Sequence, residues 1–132
     1  MRLKPIDFSD LPIVLTKCAR IAVDEIISVV YKGTMPNGMQ QKQNKPSTIR
    51  RKGHDHPLIE STGRFMDKKT YNIHQIGNDA VQISMIPDAA KIAGYLEKKG
   101  YIFFDMTEQA EQRIGSILDR YIIQKVKEAF RG

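Results

Sequence analysis

One interruption governs what this chain can fold into. Residues 10 to 32 carry a helical apolar repeat, and regular patterning resumes only at Thr70. In between, Gly33 to Lys69 shows almost no apolar periodicity. The stretch includes Gly33-Thr-Met-Pro-Asn-Gly38, Gln40-Gln-Lys-Gln-Asn-Lys-Pro46, Ser47-Thr-Ile-Arg-Arg-Lys-Gly53 and His56-Pro-Leu-Ile-Glu-Ser-Thr-Gly-Arg-Phe65. A loop this long inside a small domain is uncommon and usually functional or disordered. Residues 40 to 70 hold eight Lys or Arg against three Asp or Glu, a balance of +5 in a chain whose net charge is +6. The positive charge is therefore concentrated on this arm.

The chain has 132 residues, enough for one domain, 1–132, with a single modest core. Its pI near 9.5 favours polyanionic neighbours. No apolar run reaches the length of a membrane span, so no membrane partner is expected. Met1-Arg-Leu-Lys-Pro-Ile-Asp7 lacks the features of a secretory leader. A single cysteine, Cys18, excludes an internal disulfide and fits a reducing compartment.

Residues 10–32 are predicted as a long helix with Asp10 as N-cap and Pro12 in its first turn. Leu11, Val14, Leu15, Cys18, Ile21, Ala22, Ile26, Val29 and Val30 form its apolar stripe, and Gly33 stops it. The basic arm, 33–69, follows, with a short helical turn predicted from Pro46 to Arg50. Residues 70–86 alternate as a β-hairpin around Gly77-Asn78-Asp79. Asp88 is expected to cap a helix over 88–99, with Gly100 past its end. Tyr101-Ile-Phe-Phe104 has strand composition. Thr107 caps the last helix, 108–130, whose stripe is Ala110, Ile114, Ile117, Leu118, Tyr121, Ile122, Val126 and Phe130. Gly115 in its middle suggests a close helix or sheet contact. The order implies an α+β fold. A small, mostly antiparallel sheet is covered on one face by the long N- and C-terminal helices, with the long basic loop beside them.

Catalytic signals are weak. His54-Asp55-His56, with His74 as a third ligand, is the only cluster of metal type, and nothing completes it at ligand spacing. The expectation is no metal, no cofactor and no catalytic residue. Cys18 sits on the apolar stripe, where a small buried hydrophobe is the simpler role than a catalytic thiol. No phosphate-binding Gly loop or nucleophile elbow is present. Lys45, Arg50, Arg51, Lys52, Arg64, Lys68 and Lys69, together with Lys42, could neutralise phosphates or contact another subunit. A solvated charged loop fits equally well. Only Phe65 and Tyr71 are near in sequence, so base stacking is not supported.

Four stretches resemble the virion-morphogenesis, or tail-completion, proteins of tailed bacteriophages, including the Mu-like group and related neck and head–tail joining families. They are Lys45-Pro-Ser-Thr-Ile-Arg-Arg-Lys52, Pro57-Leu-Ile-Glu-Ser-Thr-Gly-Arg-Phe65, the hairpin with Gly77, and Ala90-Lys-Ile-Ala-Gly-Tyr-Leu-Glu-Lys-Lys-Gly100. Where many relatives carry Arg-Pro or Arg before the aromatic strand, Tyr101-Ile-Phe-Phe-Asp105 carries neither. A contact through that arginine does not carry over. The resemblance implies a non-enzymatic protein of the neck or head-proximal tail, in the host cytoplasm during assembly and then in the virion. It implies a homo-oligomeric, commonly six-fold, ring that meets neighbouring neck and tail proteins and surrounds packaged DNA. Thr62 and Gly63 would set the turn that returns the arm to the hairpin. The rival reading is a small basic nucleic-acid-binding protein that uses residues 40–69.

Overall fold

The computed structural model describes residues 4–52, 56 and 63–131. Helix α1, Leu11–Lys32, is the central element and packs against both strands of the hairpin and against the last helix. It buries Cys18, Ala19, Ala22, Val23, Ile26, Val29 and Val30. The predicted stripe is thus rotated toward Ala19 and Val23, while Leu11, Val14 and Leu15 are only half-buried. Gly33 ends α1 at φ +69°, and the N–H groups of Gly33 and Thr34 donate to the carbonyls of Val30 and Val29 at 3.2 Å. Only a residue free of a Cβ penalty takes that left-handed position readily. Asp10 does not cap the helix through its side chain. Its carboxylate instead accepts the Tyr121 hydroxyl at 2.5 Å and pairs with Lys125 at 3.1 Å, tying the start of α1 to the last helix. The Tyr121 bond, then the Lys125 bond, hold the Asp10 carboxyl below the usual carboxylate range. Desolvation, then Asp10, push the Tyr121 hydroxyl up to about 12.

The hairpin pairs β1, Tyr71–Ile76, with β2, Ala80–Met85, in an antiparallel register that sets Tyr71 opposite Met85 and Ile73 opposite Ile83. The period of two sends these four side chains to the core and leaves His74 and Gln82 exposed on the other face. Helix α3, Pro87–Lys98, begins one residue before the predicted start. Pro87 therefore occupies its first turn, and Asp88 lies inside that turn rather than at the cap. Ala89 and Ala93 are buried against the sheet side, with Ile92 and Leu96 beside them. Here α2 denotes the short helix Pro46–Lys52, within the arm.

Residues 101 to 104 are not a strand, contrary to expectation. Their alternation is nonetheless that of one: Tyr101 and Phe103 are buried, while Ile102 and Phe104 are exposed. Among the described residues, no backbone strand pairs with them. The side-chain amide of Gln41 takes that place. Its Oε1 accepts the Ile102 N–H at 3.3 Å, and its Nε2 donates to the Ile102 carbonyl and to the Thr34 carbonyl at 3.1 Å. The Phe103 ring lies 4.7 Å from that of Phe65 in the centre of the core.

Helix α4, Glu108–Arg131, is capped as predicted, with the Ala110 N–H donating to the Thr107 hydroxyl at 3.0 Å. It packs mainly on α1. Arg113 pairs with Glu25 at 3.6 Å, and Phe8 meets Tyr121 with ring centroids 6.2 Å apart. Ala110 and Ala129 are its buried residues. Two members of the predicted stripe, Ile122 and Phe130, are instead exposed, because the apolar surface of α4 is wider than the one helix it rests on. Gly115 makes no close approach either, since a Cβ built there meets nothing within 4 Å. Gly115→Ala is therefore expected to raise stability by about 1 kcal/mol through helix propensity alone. An unchanged or lower urea midpoint would contradict the open environment seen at that position.

The result is an α+β fold with long N- and C-terminal helices and a two-stranded antiparallel sheet. Among the described residues, no helix is long and apolar enough to cross a membrane.

Candidate interaction surface

Both ends of the arm belong to the fold. Residues 33 to 41 turn back on the end of α1. An isolated bridge joins Thr34 and Gln40, and the Gln41 N–H donates to the Gly33 carbonyl at 3.0 Å. Gln41 itself is only 5% exposed. At the far end, Arg64–Met66 and Lys68–Thr70 form two 3-10 turns, with Phe65 and Thr70 buried. The expectation of an extended arm over 33–69 is corrected accordingly. A polar, aperiodic sequence is held at its ends by one buried amide and one buried ring.

The middle of the arm carries the basic residues outward. Pro46 opens α2, and the Lys45 carbonyl accepts the N–H groups of Thr48 and Ile49 at 2.9 and 3.1 Å. No residue of α2 is buried. Lys45, Arg50 and Arg51 are exposed, and no carboxylate pairs with them among the described residues. Arg50, Arg51 and Lys52 occupy the last turn, where cations suit the helix dipole. Lys52 donates through Nζ to the His56 carbonyl at 2.6 Å, and the His56 ring reaches the Tyr31 carbonyl at 2.8 Å, fastening α2 to the end of α1.

The remaining predicted cations lie at the return of the arm. Lys68 pairs with Asp24 on α1 at 3.3 Å, an exposed ion pair of small energetic worth. Lys69 is exposed, and Arg64 is half-buried with its carbonyl accepting the Thr70 hydroxyl. Gly63 takes φ +62° ahead of the first 3-10 turn. Thr62 lies outside the described residues. So do His54 and Asp55 of the metal-type cluster, while His74 sits on the exposed face of β1. Among the described residues no group of three His, Cys, Asp or Glu could hold a metal ion. Cys18 is buried, and burial pushes its thiol up, which disfavours a reactive thiolate.

Sequence reasoning missed that α3 joins this surface. Lys99 Nζ sits 4.5 Å from the Tyr95 ring centroid and Lys42 Nζ 4.9 Å from that of Tyr101. The Tyr95 hydroxyl is held below its usual value by Lys99 first, with a smaller contribution from the Arg51 charge. The Asn44 side chain accepts the Tyr101 hydroxyl at 3.2 Å and donates to the His56 carbonyl at 3.1 Å. The arm thus runs along the C-terminal end of α3. The spacing of Lys91, Tyr95 and Lys98 was a readable sign of one outward helical face.

No protein-family model matches this chain, and neither a curated protein nor a solved structure does.

Proposed function

We propose that the chain is a non-enzymatic structural protein of a tailed-phage virion, acting at the neck or head-proximal tail as a homo-oligomeric ring. The four motif stretches support the phage assignment by resemblance. The observation that carries the assembly reading is a pair of exposed apolar surfaces at opposite ends of α1. At one end, α4 shows Ile122, Ile123 and Phe130, 48%, 53% and 56% exposed. At the other, Tyr31 and Met39 are exposed at the root of the arm. The ends of this 22-residue helix are about 30 Å apart. Exposed apolar side chains grouped together suit an interaction surface. Two unlike patches, widely separated, suit the head-to-tail contacts that close a ring.

Light scattering on the full chain should give a multimer. Ile123→Lys with Phe130→Lys should give a monomer of unchanged helix content, since neither side chain is in the core. A wild-type chain that stays monomeric at every soluble concentration would refute the ring. An antibody to the chain should label the head–tail junction of intact virions, and its failure to label virions would refute the location.

A further inference from the structure

We propose that single-stranded nucleic acid binds across α2 and the outer face of α3, with phosphates on Arg50, Arg51, Lys91, Lys98 and Lys99 and a base on the Tyr95 ring. Residues 42 to 52 contribute Lys42, Lys45, Arg50, Arg51 and Lys52 and no acid. The exposed positions of α3 and the residue after it add Lys91, Lys98 and Lys99, and the carboxylates of this helix are Asp88 in its first turn and Glu97 near its end. Residues 42–52 and 87–99 together hold eight Lys or Arg against two acids, a balance of +6, which is the electrostatic footprint that suits a phosphodiester backbone.

The aromatic element decides between single strand and duplex. Phe65 and Tyr71, the aromatics nearest the arm in sequence, are both buried and unavailable. Tyr95 is 59% exposed and stands among the cations. Its contact with Lys99 is a weak, solvent-exposed cation–π pair that a stacking base can displace, while Lys99 remains placed for the adjoining phosphate. A ring flanked by lysines and arginine is the arrangement that holds unpaired bases without reading their sequence. The anchoring of Gln41 and Asn44 on Ile102 and Tyr101 fixes the arm beside α3, so the two halves of the surface are held together before any ligand arrives.

The test is fluorescence anisotropy of the full chain with a labelled single strand of about 20 nucleotides, and with a duplex of the same length, from about 50 to 200 mM salt. The single strand should bind more tightly, and its affinity should fall steeply with salt. Tyr95→Ala should weaken it about tenfold without changing the salt slope, whereas Tyr95→Phe should leave it unchanged. Replacing Lys91, Lys98 and Lys99 by Gln should flatten the slope by about two units, from about 0.7 per phosphate contact. Absence of binding at low salt, tighter binding of duplex, a silent Tyr95→Ala or an unchanged slope in the lysine variant would each overturn the proposal. Binding of acidic protein with none of nucleic acid would overturn it as well. None of these outcomes bears on the ring, which is read by mass.

Discussion

Phe103→Ala should lower the unfolding free energy by about 3–5 kcal/mol, the usual effect of truncating a fully buried aromatic ring. Phe103 is 2% exposed and meets the equally buried Phe65, so the space left behind cannot fill with water or collapse easily. Small domains hold about 5–15 kcal/mol in total, and a chain with a core this small stands near the lower end. Urea denaturation followed by circular dichroism should show a much lower midpoint, with part of the population unfolded at 37 °C. A loss below about 1 kcal/mol would mean that the 101–104 segment is not seated as described.

Gln41→Leu should cost about 2–4 kcal/mol, more than its surroundings in sequence would suggest. The substitution keeps the volume but strands the N–H and carbonyl of Ile102 and leaves the Thr34 carbonyl without its partner. A buried backbone group deprived of its bond costs about 1–3 kcal/mol. Amide exchange at Ile102 gives a local readout: protection present in the wild type should be lost in the variant. If that amide stays protected and the midpoint holds, the bridge is not what fixes the arm. The same bridge bears on deletion of the arm. Removing residues 38 to 54 takes Gln41 and Asn44 with it and would damage the fold. Removing α2 alone would not, because none of its residues is buried.

The two variants also mark where sequence reasoning succeeds and where it stops. Phe103 could be picked out as core from its alternation with Ile102 and Phe104, although the strand assigned to it is absent. Gln41 could not. It lies in a run of Gln, Lys and Asn that is indistinguishable from a solvated linker, and its burial depends on Ile102, far away in the chain. Asp10 is a similar case. Its position before α1 is that of a cap, yet Tyr121 and Lys125, two side chains from the other end of the protein, occupy its carboxylate. The basic surface was half legible. The arm cations stood out as a run, but their aromatic companion, Tyr95, comes from an element that follows the hairpin.

Local rules operate over a few residues, and within that range the sequence alone determined the outcome. The extents of α1 and α4, the hairpin about Gly77, the Thr107 cap and the left-handed Gly33 and Gly63 all follow from periodicity, turn chemistry and steric freedom. Tertiary structure alone decided which apolar residues are covered. One neighbouring helix is too narrow for the whole apolar face of α4, so Ile122, Ile123 and Phe130 remain open. It also decided that a glutamine serves as the missing strand beside Ile102, because a buried backbone must find hydrogen-bond partners wherever the packed chain happens to bring them.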